Sequence, residues 1–364
     1  MAIIHVIIPC YNVEKYLEQA VYSVLNQPCK EIDIVLVDDG SPGRTPQLCD
    51  ALAAKEPRVH VVHKKNGGVS NARNSGIEFV LDHLLHGERE FVAFLDGDDI
   101  WMPGVINDVL AEHLRTDWNE DVISFAGVLG NNQLNRFSQK LSVPDRAAAD
   151  ARQMMWDGQL VTFSSKLYSV DVFRKWNIRF QSGLKYSEDR IFALQFYFLA
   201  DKARFVNKTL HVYRKNQTGA MMAQHRLSAA DYYLPIIDGW LKCDDFLNAL
   251  SCRTNAVATM GQSLAAIYLV DMVAEQMKKW GSFRKIMDAL RIHPHYPAAE
   301  SGALVRHNQR EYSKNRLLFE HPLKFRMKYR LIGAAEWILR KLLSVPAIVA
   351  LWDKRRYPFT EIPD

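Results

Sequence analysis

Short apolar runs alternate with segments of helical period over residues 1–130, and this alternation restricts the fold more than any other feature of the chain. The runs fall at residues 3–8, 32–37, Val59–His63, 90–95 and 122–128. The first is a continuous β-branched stretch, as expected of a strand buried on both faces. Between the runs, Asn12 can cap a helix whose stripe is Leu17, Val21, Val24 and Leu25. Thr45–Lys55 reads as a helix with Pro46 in its first turn. A third helix is expected over 71–85, and a fourth opens after Pro103. The pattern predicts an α/β fold, a mostly parallel sheet flanked by helices. In such sheets ligands bind at the carboxyl ends of the strands. The chemically informative residues gather there: Pro9 to Tyr11, Asp38-Asp39, and Asp96 to Asp99.

Beyond residue 150 the rhythm changes. Helices are predicted at Val170–Trp176 and Glu188–Leu199, and an extended stretch at Ala203–Arg214. After about residue 225 the chain reads as mainly helical, with periodic stretches at 226–250, 255–280 and 282–291 and a Pro/His-rich loop at 292–302. The stretch 320–356 is rich in Lys and Arg, with Leu331, Ala335, Ile338 and Leu342 at helical spacing beside Trp337. A basic amphipathic helix of this kind suits either a membrane surface or a docked helix with a solvated face. Glu336, Arg340 and Lys341 interrupt it, so it is not read as a span.

With 364 residues, 48% of them hydrophobic and 24% charged, the chain can bury a full core. A net charge of +5 is too mild to imply nucleic acid. The five cysteines contain no CxxC pair, so neither a disulfide framework nor a zinc site is expected, and a reducing cytoplasmic compartment fits. The first residues lack a basic lead-in and reach Pro9 early, which reads as a strand and not as a signal peptide.

Four motifs carry chemistry. Asp96-Gly97-Asp98-Asp99 follows an apolar strand. Three clustered carboxylates repel one another, and a hard cation such as Mg²⁺ or Mn²⁺ relieves this. An Asp-Gly turn capping a helix has the same spelling. Asp38-Asp39 follows the second strand, where an acid commonly faces a ribose or a base edge; a turn or helix cap reads equally well. Residues 66–76 place Gly67 and Gly68 before a helix that carries Arg73, offering backbone N–H groups and a guanidinium to an anion or a base. This is neither a Walker loop nor a GxGxxG fingerprint. Glu188 and Asp189 open a later helix; either is a candidate general base, and both also suit a helix N-terminus.

Taken in order, these motifs resemble family 2 glycosyltransferases of the GT-A fold. The resemblance runs over about residues 1–220: Pro9-Cys10-Tyr11-Asn12, Val37-Asp38-Asp39-Gly40-Ser41, residues 67–76, Phe94 to Asp99 with Trp101 and Pro103, Ser187-Glu188-Asp189, and Val212-Tyr213-Arg214. It implies a GT-A glycosyltransferase domain over 1–220, with a nucleotide-sugar half at 1–130 and an acceptor half at 131–220. A helical region at 221–319 and a basic tail at 320–364 follow. It also implies roles. Pro9 and Tyr11 border the base, Asp39 hydrogen-bonds it, and Arg73 lies near it. Asp96 meets ribose or sugar, and Asp98 binds the metal, with His211 as a further ligand. Asp99 is a supporting or capping acid, Arg214 meets the diphosphate, and Asp189 is the base ahead of Glu188. Residues 215–221 depart from the family's usual pattern.

The implied reaction is inverting transfer from a nucleotide-sugar, a UDP-sugar in this reading, to a saccharide or lipid-linked acceptor in bacterial surface polysaccharide synthesis. The implied place is the cytoplasm, with peripheral contact to the inner membrane face through 320–356. A nucleotidyltransferase shares the acidic metal turn but needs a basic phosphate-gripping loop near the first strand, which Pro9 to Asn12 does not supply. A receiver-like signalling domain is far shorter than this chain. An inactive relative acting as a binding partner is opposed by the presence of all the candidate acids.

Overall fold

Strand β1 (Ala2–Cys10) lies in the interior of the sheet with a parallel neighbour on each side, and its side chains show why. Ile4, Val6, Ile7 and Ile8 are completely buried, which only a strand covered on both faces allows. Each such side chain is worth about 1.5–3 kcal/mol of burial. The computed structural model describes residues 2–29, 31–85, 89–108, 120–131, 137–141, 146–148, 163–184 and 187–214, with isolated positions at 134, 236, 239, 242, 243, 246, 327, 328, 359 and 360. The helices expected after residue 225 and the basic stretch 320–356 lie outside the described residues, isolated positions aside, as do residues 215–221.

Strand β2 (Ile32–Asp38) pairs with one edge of β1 in parallel, from Ile4 opposite Ile32 to Cys10 opposite Asp38. Strand β3 (Val59–His63) extends that side, also in parallel. Strand β4 (Arg89–Phe94) takes the other edge of β1. The order β3-β2-β1-β4 reverses direction at β1, and the crevice at such a reversal is where open α/β sheets bind ligands.

The connecting helices follow the sequence with two shifts. Helix α1 (Leu17–Leu25) begins five residues beyond Asn12, which does not cap it. Asn12 has φ +56, outside the extended backbone of an N-cap, and a turn closed by Tyr16 and Leu17 N–H groups on the Val13 carbonyl intervenes. Helix α2 (Thr45–Lys55) starts on its proline turn as expected. Helix α3 (Val69–Phe79) begins two residues earlier than predicted and runs into a wider turn at Val80–Leu84. Gly68 precedes it with φ +85, a conformation that favours glycine. Residues 105–108 are helical, as expected after Pro103.

The later strands are β5 (Ile100–Trp101), β6 (Val122–Gly130), β7 (Phe137–Leu141), β8 (Arg146–Ala148), β9 (Lys166–Ser169), β10 (Ala203–Arg214) and β11 (Phe359–Thr360). The sheet runs β11-β7-β6-β9-β4-β1-β2-β3, with β10 parallel to β6 and antiparallel to β5 and β8. The expected mostly parallel sheet is therefore a mixed one. Strand β9 lies antiparallel between β4 and β6, so the parallel order stops at β4. Helix α4 (Val170–Trp176) follows β9 directly, and helix α5 (Glu188–Leu199) comes before β10.

The chain divides into two compact units. The first holds residues 1–183, 192–217 and 359–364 and contains the sheet. An aromatic cluster of Phe94, Phe163, Tyr168, Phe180, Phe192 and Phe196 packs beside it, with Phe180 and Phe192 stacked at 4.0 Å. The second unit holds 184–191 and 218–358; within it, Gly239 packs closely on Leu184 and Ile191.

Candidate active site

The acidic turn leaves β4 as the sequence requires: Phe91 to Leu95 are buried, and Gly97 passes close to Val13 and the Pro9 carbonyl. Its three acids have different surroundings. Asp96 is the open one, with a side chain 41% exposed, and its Oδ1 accepts from Arg73 Nη2 at 2.8 Å. Asp98 is half-buried, and its carbonyl accepts from Arg214 Nε at 2.6 Å. Asp99 is buried, with Oδ2 2.8 Å from His211 Nε2 and Oδ1 accepting from the Arg214 N–H at 2.8 Å. Burial pushes the Asp99 carboxyl above the usual carboxylate range, and the His211 contact opposes this.

His211 and Arg214 reach the turn because β10 pairs with β5, His211 lying opposite Trp101. The His211 ring is fully buried, 4.2 Å from the Tyr213 ring. Its Nδ1 has no hydrogen-bond partner among the described residues. The Arg214 guanidinium lies over the Tyr16 ring at 4.6 Å and donates to Gln19 Oε1 at 2.6 Å, so helix α1 holds it from outside the turn. Burial draws it below its ordinary range, with Tyr16 and Asp98 opposing.

The second group sits after β2. Asp38 accepts from the Ser41 N–H and lies 3.2 Å from His63 Nδ1. His63 is raised above its usual range, mostly by Asp50 on its other nitrogen. Asp39 is buried and fully engaged. It accepts from Gly67 N–H at 2.9 Å, Gly68 N–H at 2.8 Å and Lys64 Nζ at 2.6 Å. The carboxylate that the sequence assigns to a base thus shapes the glycine loop at the start of α3. Tyr11 stands at the mouth, half exposed.

Arg73 is buried against two rings, Phe163 at 4.7 Å and Phe180 at 5.3 Å. Neither ring was singled out in the sequence, since Phe163 follows no motif and Phe180 lies in a loop. Lys64, Gln19 and Tyr16 were missed because each acts through another residue, Lys64 through Asp39 and the other two through Arg214. The structure therefore brings Pro9, Tyr11, Asp39, Arg73, Asp96, Asp98, His211 and Arg214 to the carboxyl ends of one sheet. Glu188 and Asp189 lie in the second unit, in the first turn of α5, where Asp189 Oδ1 accepts from the Arg190 N–H at 2.7 Å. Among the described residues, no three His, Cys, Asp or Glu side chains form a closed metal cage.

A sheet reversing at β1, with an acidic turn after β4 and a glycine loop held by an acid after β2, defines a GT-A-type transferase. Residues 5–176 match the family described as Glycosyl transferase family 2. The chain carries a family 2 glycosyltransferase domain and is a glycosyltransferase. The match ends before Asp189, His211 and Arg214. EpsJ of Bacillus subtilis, named an uncharacterized glycosyltransferase, is 23% identical over 318 residues, covering 80% of this chain and 87% of its own. TarS of Staphylococcus aureus, named a poly(ribitol-phosphate) beta-N-acetylglucosaminyltransferase, is 27% identical over 234 residues, covering 63% of this chain and 38% of its own. The crystal structure of S. aureus TarS 1-349 with UDP-GlcNAc superposes with a TM-score of 0.57 at 20% identity, covering 92% of this chain and 91% of that one. That likeness establishes the GT-A-like fold.

Proposed function

We propose that this glycosyltransferase moves a sugar from a UDP-linked donor to a hydroxyl of a saccharide or lipid-linked acceptor in cell-surface polysaccharide synthesis, with inversion. The observation that carries the reading is the division of labour at residues 96–99. One acid is open beside Arg73, one is half-buried, and one is tied to His211 and Arg214. The activity for which TarS is named and its crystal structure with UDP-GlcNAc support the UDP donor and the polymer acceptor.

The residues fit a divalent ion. Mg²⁺ and Mn²⁺ are held by one or two carboxylates, with phosphate oxygens and water completing the shell, so no closed protein cage is needed. Asp98 would supply the carboxylate. The buried His211 Nδ1 would be the second donor atom, and Asp99 on Nε2 fixes that ring as carboxylates fix ligating histidines. When bound, Mg²⁺ or Mn²⁺ stabilises charge on the departing diphosphate as a Lewis acid.

The protein's own groups do the rest. Pro9 and Tyr11 border the base beside the Asp39-held loop, and Asp96 faces the ribose or the sugar. Arg214 adds positive charge for the diphosphate. Asp189 takes the acceptor hydroxyl proton as its oxygen attacks the anomeric carbon and the bond to the nucleoside diphosphate breaks. Glu188, beside it, is the alternative base.

A panel of nucleotide-sugars tests this, read as metal-dependent release of nucleoside diphosphate. A UDP-sugar is expected to turn over and EDTA to stop it. Release of inorganic pyrophosphate instead overturns the reading in favour of nucleotidyl transfer. Asp189→Asn should lower kcat by about 10²–10⁴-fold while donor KM stays within about twofold. Retained transfer by that variant removes Asp189 as base.

A further inference from the structure

Asp96, the open acid of the turn, is held by a chain of contacts that reaches well outside the donor half. Arg73 Nη2 donates to Asp96 Oδ1, and the guanidinium is seated on the rings of Phe163 and Phe180. Phe180 is itself fixed twice. Its ring stacks on Phe192 at 4.0 Å with planes 4° apart. Its backbone is clamped by a single side chain: Asn74 Nδ2 donates to the Phe180 carbonyl at 2.9 Å, and Asn74 Oδ1 accepts from the Phe180 N–H at 2.8 Å. A carboxamide closes both bonds as a neighbouring strand would, which neither a carboxylate nor an aliphatic side chain can do. Two residues along, Ser182 Oγ bonds Asn71 Oδ1, and Asn71 Nδ2 donates to the Gly67 carbonyl in the loop that Asp39 holds. One turn of α3 thus fastens residues 180–182 to both sides of the donor crevice.

We propose that Asn74 and Phe180 are positioning residues for the donor site, aiming Asp96 through Arg73. An arginine in contact with solvent could swing among several rotamers. On two aromatic rings it has one seat, and the cation–ring attraction of a buried guanidinium adds to the packing. Asp96 has a partly exposed side chain and its own choice of rotamers, and its bond to this seated Arg73 fixes one of them. The inference rests on the reading of Asp96 as a ribose or sugar contact.

The experiment is a double-mutant cycle read by nucleotide affinity. Calorimetric titrations with UDP, GDP and dTDP in the presence of Mn²⁺ identify the nucleotide the unsubstituted chain binds best. The same titration is then made on Asn74→Ala, Phe180→Leu and Asp96→Asn, and on each of the first two combined with Asp96→Asn. Asn74→Ala and Phe180→Leu are each expected to weaken binding about three- to tenfold, the range one cation–ring contact supports. In the Asp96→Asn background the same substitutions should change affinity by less than about twofold, since the charged carboxylate that Arg73 aims is gone. Misfolding lowers the number of sites in a titration and leaves the affinity of the remainder unchanged, so a merely structural role reads differently. Asn74→Ala removes only hydrogen bonds and carries the test should Phe180→Leu not fold. A full effect persisting without the Asp96 carboxylate overturns the proposal, as does unchanged affinity in Asn74→Ala while Asp96→Asn loses it. Unchanged affinity in Asp96→Asn itself overturns the Asp96 assignment as well.

Discussion

Asp39 shows how a residue legible in the sequence can carry work the sequence does not show. Its position after β2 marked it for a base, yet three donors from residues 64–68 occupy its carboxylate. Neutralising it leaves the Gly67 and Gly68 N–H groups and Lys64 facing a half-donating amide on a buried side chain. Asp39→Asn is therefore expected to cost about 1–3 kcal/mol of stability, read by chemical denaturation, and to raise donor KM about tenfold or more as the loop loosens. A raised KM with undiminished stability would instead mean that Asp39 acts on the base alone. Asp99 was legible only as a supporting or capping acid. Its bonds to His211 and Arg214 span more than a hundred residues of sequence, and no local pattern announces such a pair. His211 was noticed for its residue type, and its contact with Asp99 emerges only from the pairing of β10 with β5.

At the level of elements, the parallel core was plain because fully buried strands spell themselves as unbroken β-branched runs. Boundaries were less plain. The Asn12 side chain matches a cap by type, and only its left-handed backbone shows that the helix starts later. Strand β9 was invisible: Lys166–Ser169 is four residues long and contains a lysine that is buried in the sheet, so neither its length nor its composition marks a central strand. The fit of α3 on β1 is equally hidden. A methyl added at Gly76 would fall 2.4 Å from Ile7 Cγ2, so the helix lies as close to the strand as a bare Cα permits. Gly76→Ala should destabilise the domain by about 1–3 kcal/mol through overpacking, seen as a lower denaturation midpoint with unchanged slope. In an Ile7→Ala background, where the clashing Cγ2 is gone, Gly76→Ala should cost less.

For the molecule as a whole, the charge pattern beyond residue 320 adds a surface question to the catalytic one. No helix among the described residues is long and apolar enough to cross a membrane. We expect the basic stretch 320–356 to hold the chain peripherally at the inner face of the cytoplasmic membrane, where anionic lipids attract Lys and Arg. Sedimentation with vesicles containing anionic lipid should retain the full chain and release a version ending near residue 320; equal retention of both would remove the tail from the argument. The placing of β9 between β4 and β6 bears on something else, the order in which the protein can be made. Strands β1 to β4 emerge from the ribosome in sequence and can pair at once, but the far edge of β4 has no partner until residue 169 has been added. At cellular rates of elongation that interval is roughly 4–15 s, during which a row of open backbone groups on an apolar strand faces its neighbours. Nascent chains stalled in that interval are the ones a chaperone must shield, and fragments that stop short of Lys166 should be recovered as aggregates.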